Sequence, residues 1–251
     1  MKLRYIIKFI PHWLEFYFLK YSPLHKRIPH LHVIGDSHSS FCFTNVVPMA
    51  TSRENSILRY KQKNKTIKLP CSIHWLGPVT MFRVGRDNIN LINLKTMKAK
   101  ENDIVVFLFG EIDIRCHIEK QSNLQKRSSD IIIDEMVEKY ISCIVDNKKQ
   151  FNTLHCIVGT IVPPTDRAYS EKFPFYGSLE TRIALTKKLN TKLHEHCAKH
   201  DLPILDLYTD YSTSKGDLKA ELADRSVHID SKHNFAIKKN LLKLLYPHSI
   251  K

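Results

Sequence analysis

Near-continuous apolar runs recur along the chain at LHVIG (31–35), LPCSIHWLG (69–77), DIVVFLFG (103–110), LHCIVGTIV (154–162) and LPILDLY (202–208). Strands covered on both faces read this way, because no position along them has to meet water. Between these runs, residues 130–149 and 178–200 repeat apolar positions at three- and four-residue steps, which predicts helices, and residues 231–246 predict a closing one. Ser178 suits the N-cap of the second helix, with Glu180 in its first turn. Strands alternating with helices predict an α/β chain: a three-layer α/β/α sandwich around a mostly parallel sheet. Such sheets bind ligands beyond the carboxyl ends of their strands, so chemistry is sought there.

The N-terminal pattern differs. Residues 2–20, KLRYIIKFIPHWLEFYFLK, set Arg4, Lys8, His12 and Glu15 against a broad apolar face, with an interruption at Pro11. The stretch is too short and too charged to span a bilayer. It reads either as an interfacial helix on an anionic membrane or as an ordinary helix packing its apolar face on the domain. The expected organisation is an amphipathic segment over residues 1–27 and one domain over 28–251.

Charge sharpens this picture. The chain has 251 residues, 39 basic against 25 acidic, a net charge of +14, and 43% hydrophobic residues. That composition excludes a disordered or collagen-like chain and leaves ample apolar surface for one core. A basic excess fits nucleic acid or an anionic surface, but the lysines are dispersed and no zinc-finger or RNP-type spacing accompanies them, so nucleic acid is not the expected partner. The basic run from Arg53 to Lys68 reads as a solvated loop or an edge strand. Six cysteines lie far apart with no C-x-x-C pair, and no secretory cleavage site follows the N-terminal apolar stretch; both favour a reducing, cytoplasmic setting, and the interfacial reading of the N-terminal segment would place the chain peripherally at the inner membrane face. His194, His196, Cys197 and His200 suggest metal ligands, yet neighbours one or two apart do not share a helix face, so a solvated helix end and no metal is expected.

Two strand ends and one segment before the last helix carry chemistry. Gly35-Asp36-Ser37-His38-Ser39 stands where the first strand meets a helix, and a serine there can present its hydroxyl at the sheet rim beside helix N–H groups; Asp36 and Ser37 could equally serve as caps. Gly110-Glu111-Ile112-Asp113-Ile114-Arg115-Cys116-His117 packs two carboxylates, a guanidinium and an imidazole behind an apolar strand, against the plainer reading of an Asp113–Arg115 ion pair tying down a loop. Ala223 to His233 offers a base and an orienting acid for an upstream serine, pairing Asp224 with His228 or Asp230 with His233.

This ordered set, Gly-Asp-Ser, Gly77, Gly-x-x-Asp at 110–113 and a late Asp/His, resembles the blocks of the SGNH/GDSL hydrolase superfamily over about residues 31–240. The G-E-I-D-x-R form of the third block, with HWLGPVT (74–80) and YGSLETRIALTKKLN (176–190), is similar to a variant group associated with bacterial surface-polysaccharide genes. The resemblance implies a flavodoxin-like sandwich, Ser37 as nucleophile, the Ser37 and Gly77 amides as oxyanion donors, and a C-terminal histidine as base. His228 is chosen because the interval from it into the last helix has the family's length, with Asp224 as its acid. Two departures stand out. Asp113 replaces the family's asparagine, so an ionised carboxylate can only accept where an amide would donate; it is either held by Arg115 while positioning another donor, or protonated. Arg225 occupies the slot three residues before His228 where the family has its acid, whereas Asp230 and His233 keep that spacing. Arg115 and Arg83 are the expected substrate-binding residues. The implied activity is serine-dependent acyl transfer on an O-acyl carbohydrate, as an esterase or as an O-acetyltransferase drawing on acetyl-CoA, with no other cofactor. The rival reading is a non-catalytic binding or assembly protein docked at the membrane or on polysaccharide-assembly enzymes.

Overall fold

The computed structural model describes residues 12–21, 28–43, 54–62, 65–167, 171 and 173–247. Six strands, β1 (Leu31–Gly35), β2 (Glu54–Gln62), β3 (Lys65–Trp75), β4 (Ile104–Leu108), β5 (His155–Gly159) and β6 (Ile204–Leu205), form one sheet in the order β2-β3-β1-β4-β5-β6. The β2–β3 pair is antiparallel and every other pairing is parallel. Seven α-helices are seen among the described residues: α1 (His12–Tyr21), α2 (Ser37–Phe43), α3 (Met81–Asp87), α4 (Ile118–Gln125), α5 (Ser129–Lys148), α6 (Leu179–Lys199) and α7 (Phe235–Leu245). The predicted α/β/α layering is the observed one.

Alternation along each strand sorts the core into two layers. Ile34, Val105, Phe107 and Val158 face α3, α5 and α6, while Leu31, Val33, Val106 and Ile157 face the side covered by α2 and α7. β1 and β4 are buried at every position, as central parallel strands covered on both sides must be. Ser178 caps α6 by accepting from the Thr181 N–H, as its sequence predicts. The described part of the basic run lies on β2 and the start of β3, antiparallel at the sheet edge, and β6 stops short of Tyr208 because Asp206 accepts the Tyr208 and Thr209 amides in a turn.

The N-terminal segment divides in the structure. Residues 1–11 and 22–27 lie outside the described residues. Within α1, Phe16 and Leu19 pack on Ile57 of β2, and Glu15 meets Arg59 and Lys68. Leu14, Tyr17 and Phe18 remain 43%, 48% and 58% exposed. No helix among the described residues is long and apolar enough to cross a membrane. The solvated helix end expected at His194–His200 needs correction: His196 is buried against Asp134 of α5, and Cys197 lies in the core. All six cysteines are free thiols.

Candidate active site

The carboxyl ends of β1 and β3 build the floor. β1 ends at Gly35, where a Cβ would collide with the Leu108 carbonyl of β4, so the Asp36–Ser37 turn is drawn close over the sheet. The Leu76 N–H donates to the Gly35 carbonyl (3.0 Å), which brings the end of β3 alongside. Gly77 follows with φ +77°, a left-handed conformation that favours glycine, and nothing lies within 4 Å of where its Cβ would stand. Ser37 opens α2, so its N–H has no carbonyl of its own helix to meet. Ser37, Gly77, Trp75, Ile112, Arg115, Phe173 and His228 line one cleft of about 410 Å³.

Against this floor stands the C-terminal loop. His228 Nε2 lies 2.8 Å from Ser37 Oγ, and His228 Nδ1 lies 2.9 Å from Asp224 Oδ2. Asp224 Oδ1 also accepts the Ser226 and His228 amides (2.7 and 3.1 Å), which fixes the carboxylate. The imidazole stacks flat on Phe41, with ring centroids 4.0 Å apart and planes 3° apart. Burial lowers the His228 pKa from its ordinary value, and this outweighs the upward pull of the Asp224 hydrogen bond, so the ring is a free base at neutral pH. Asp224 stays below the usual carboxylate range: burial works the other way, but bonds from His228 and from two amides win. Asp230 is engaged with Lys232, and the His233 carbonyl accepts from Tyr211 Oη, so this second pair is turned to holding its own loop.

The 110–117 segment holds a π-helical turn, Asp113–His117, a wide geometry that recurs at functional sites. Of the alternatives weighed for Asp113, the pairing with Arg115 does not form. Arg115 Nε and Nη2 bind Glu111 bidentately (2.8 and 2.9 Å), and the guanidinium lies over Phe173 and Phe175. The Tyr176 N–H donates to the Arg115 carbonyl, tying the phenylalanine loop to the turn. Asp113 is fully buried and accepts the Met81 and Phe82 amides (2.6 and 3.2 Å), so it serves the start of α3. Burial pushes its carboxyl up to about 7 despite those two donors. Arg83 points elsewhere, pairing with Asp87 on the outer face of α3, and is not part of the cleft lining.

Three contributors escape the sequence. His38 is buried between Asp36 and the Val227 carbonyl, yet its neighbour Ser37 draws the attention in that motif. Phe41 lies four residues after Ser37, the helical step that brings it beneath His228, and this spacing is its one signal. Phe173 comes from an irregular segment with no periodicity to mark it. Together the groups set a hydroxyl, a neutral imidazole and an orienting carboxylate in line, with the helix-opening Ser37 N–H at the hydroxyl and Gly77 lining the same cleft; this arrangement can deprotonate the serine and receive an oxyanion.

No protein-family model and no curated protein sequence matches the chain. Solved structures do. A protein from Streptococcus pneumonia described as a platelet activating factor superposes with a TM-score of 0.56 at 14% identity, covering 98% of this chain and 100% of its own. A protein from Bacteroides fragilis described as an acylhydrolase gives 0.54 at 15%, covering 93% and 96%. A carbohydrate acetylesterase from Sinorhizobium meliloti gives 0.51 at 10%, covering 87% and 99%. At these identities the likeness is one of architecture, and it agrees with the sheet order and layering above: the chain has the SGNH-hydrolase fold.

Proposed function

We propose that this chain is a serine-dependent acyl-transfer enzyme that acts on an O-acyl carbohydrate. One observation carries the reading: Ser37 Oγ, His228 and Asp224 stand in hydrogen-bonded line at 2.8 and 2.9 Å. Ser37 Oγ attacks the acyl carbonyl while His228 Nε2 takes its proton, and the imidazolium that forms is stabilised by Asp224. The Ser37 and Gly77 amides face the developing oxyanion. His228 then returns the proton to the departing sugar hydroxyl, leaving an acyl-serine. Water resolves that ester in an esterase; in a transferase acetyl-CoA would be the donor, its thiol leaving with the proton from His228 in place of the sugar hydroxyl, and a sugar hydroxyl would resolve the acyl-serine. A sugar suits the cleft because Trp75 and Phe173 offer flat apolar surfaces for its C–H faces and Arg115 supplies a donor. The carbohydrate acetylesterase among the similar folds supports that choice.

The same proposal places the protein at an anionic membrane. Residues 1–30 hold six basic side chains and one acidic, and the exposed face of α1 is apolar. Glu15 reaches Lys68 of β3, and the cleft lies beyond Trp75 at the carboxyl end of the same strand, seven residues or roughly 23 Å further on. A bilayer docked on α1 therefore leaves the cleft facing water, as work on a polysaccharide requires. A non-catalytic binding role is favoured by one observation, the Asp113 carboxylate accepting backbone amides where the superfamily uses a donor. Incubating wild type and Ser37→Ala with O-acetylated oligosaccharides, and with acetyl-CoA plus unmodified sugars, separates these readings. Ser37-dependent acetate release or sugar acetylation supports the enzyme; neither, with sugar binding intact, supports the binding protein.

A further inference from the structure

His38 is 4% exposed and directly follows Ser37. Its Nδ1 lies 3.2 Å from Asp36 Oδ1 and its Nε2 lies 3.3 Å from the Val227 carbonyl oxygen. Both neighbours can only accept. A neutral imidazole has one N–H and would set a lone pair against one of these oxygens, whereas an imidazolium donates to both. The ring centroid is 4.8 Å from that of His228, with planes 50° apart. The charged and titratable groups around it are Asp36 from the β1 turn, Glu111 from the segment after β4, and His228 with Asp224 from the C-terminal loop.

We propose that His38 is a positioning residue, held as an imidazolium, that tethers the His228 loop to the nucleophile turn and keeps the neighbouring His228 ring unprotonated. The tether is direct, because Val227 immediately precedes His228 and its carbonyl accepts the hydrogen bond from His38 Nε2. The electrostatic part acts through space: a fixed positive charge beside His228 disfavours a second one. Burial opposes charging His38, but the hydrogen bond and charge of Asp36, reinforced by Glu111, raise its pKa above the ordinary 6.5. Burial and the His38 charge lower that of His228 below the same value, against the pull of Asp224. Two imidazoles side by side are thus drawn apart, one toward holding its proton and the other toward the free base.

The inference rests on His228 being the general base, so its test has two readouts. The first is the pH profile of kcat/KM for a chromogenic acetate ester, comparing wild type with His38→Gln. Loss of the neighbouring charge should move the acid limb to higher pH by at least about half a unit. An unmoved limb in a folded, active His38→Gln variant overturns the proposal, since a merely structural side chain would lower the rate without shifting the midpoint. The second readout is the ring-nitrogen NMR titration of wild-type protein, which needs neither turnover nor a variant that folds. His38 should be protonated on both nitrogens at pH values where His228 is neutral; a neutral His38 under those conditions contradicts the proposal. An inactive wild type with a doubly protonated His38 would count against the acyl-transfer reading and leave the charge assignment standing.

Discussion

Asp224 and His228 are four residues apart, and their side chains meet at 2.9 Å because the chain between them closes on itself, the Asp224 N–H donating to the His228 carbonyl at 2.9 Å. The bridge between Ala223 and Ile229 seals the base of this loop. One extra residue between acid and base is thereby absorbed without moving either out of line. The carboxylate fixes the tautomer of His228, so Asp224→Asn should keep the fold and lower kcat by roughly 10³- to 10⁴-fold. Steady-state kinetics with a small acetyl ester, beside a thermal melt, checks this. A loss under tenfold would mean that the loop does not orient the base.

Asp113 links the site to pH-dependent stability. Unfolded, its carboxyl titrates at the ordinary 3.8, and burial in the folded protein pushes it up to about 7. Between those values the folded state holds a proton that the unfolded state has released, so stability falls as pH rises through the window and levels above it. Asp113→Asn removes this dependence. Urea unfolding at pH 5 and pH 8 should show wild type losing roughly 2 to 4 kcal/mol relative to the variant across that interval. Parallel behaviour of the two proteins would show that the Met81 and Phe82 amides keep the carboxylate charged at low pH.

The two faces of α1 make separable predictions. Phe16 is 2% exposed, and Phe16→Ala should cost roughly 3 kcal/mol in unfolding free energy. Replacing Leu14, Tyr17 and Phe18 together by Ser should abolish co-sedimentation with phosphatidylglycerol vesicles. Retention on the vesicles after the triple change would remove α1 from the membrane contact.

The central architecture was legible because its strands are buried on both faces: LHVIG and DIVVFLFG become β1 and β4 with no exposed position. Ser178 announced α6 through local capping chemistry, which needs no tertiary context. Elements stabilised by distant partners were silent. The first turn of α3 is held by the Asp113 carboxylate from far along the chain, and α4 is a short polar helix with no apolar period of its own. The site divides in the same way. Motif order pointed to Ser37 and a C-terminal histidine but left Asp224 with His228 and Asp230 with His233 as rival pairs, and the sequence weighed Asp113 as a partner of Arg115, although only the helical step of four favours Glu111. His38 was invisible as a contributor, because its meaning depends on the Val227 carbonyl, 189 residues away.

The most direct test is whether Ser37 is an activated nucleophile. Wild type, Ser37→Ala and His228→Ala are treated with a fluorophosphonate ester, and the adduct is mapped by peptide mass spectrometry. The account predicts one adduct on Ser37 in wild type, none in Ser37→Ala, and labelling slowed at least about a hundredfold in His228→Ala. Equal labelling of folded wild type and His228→Ala, or an adduct on another residue, would contradict it.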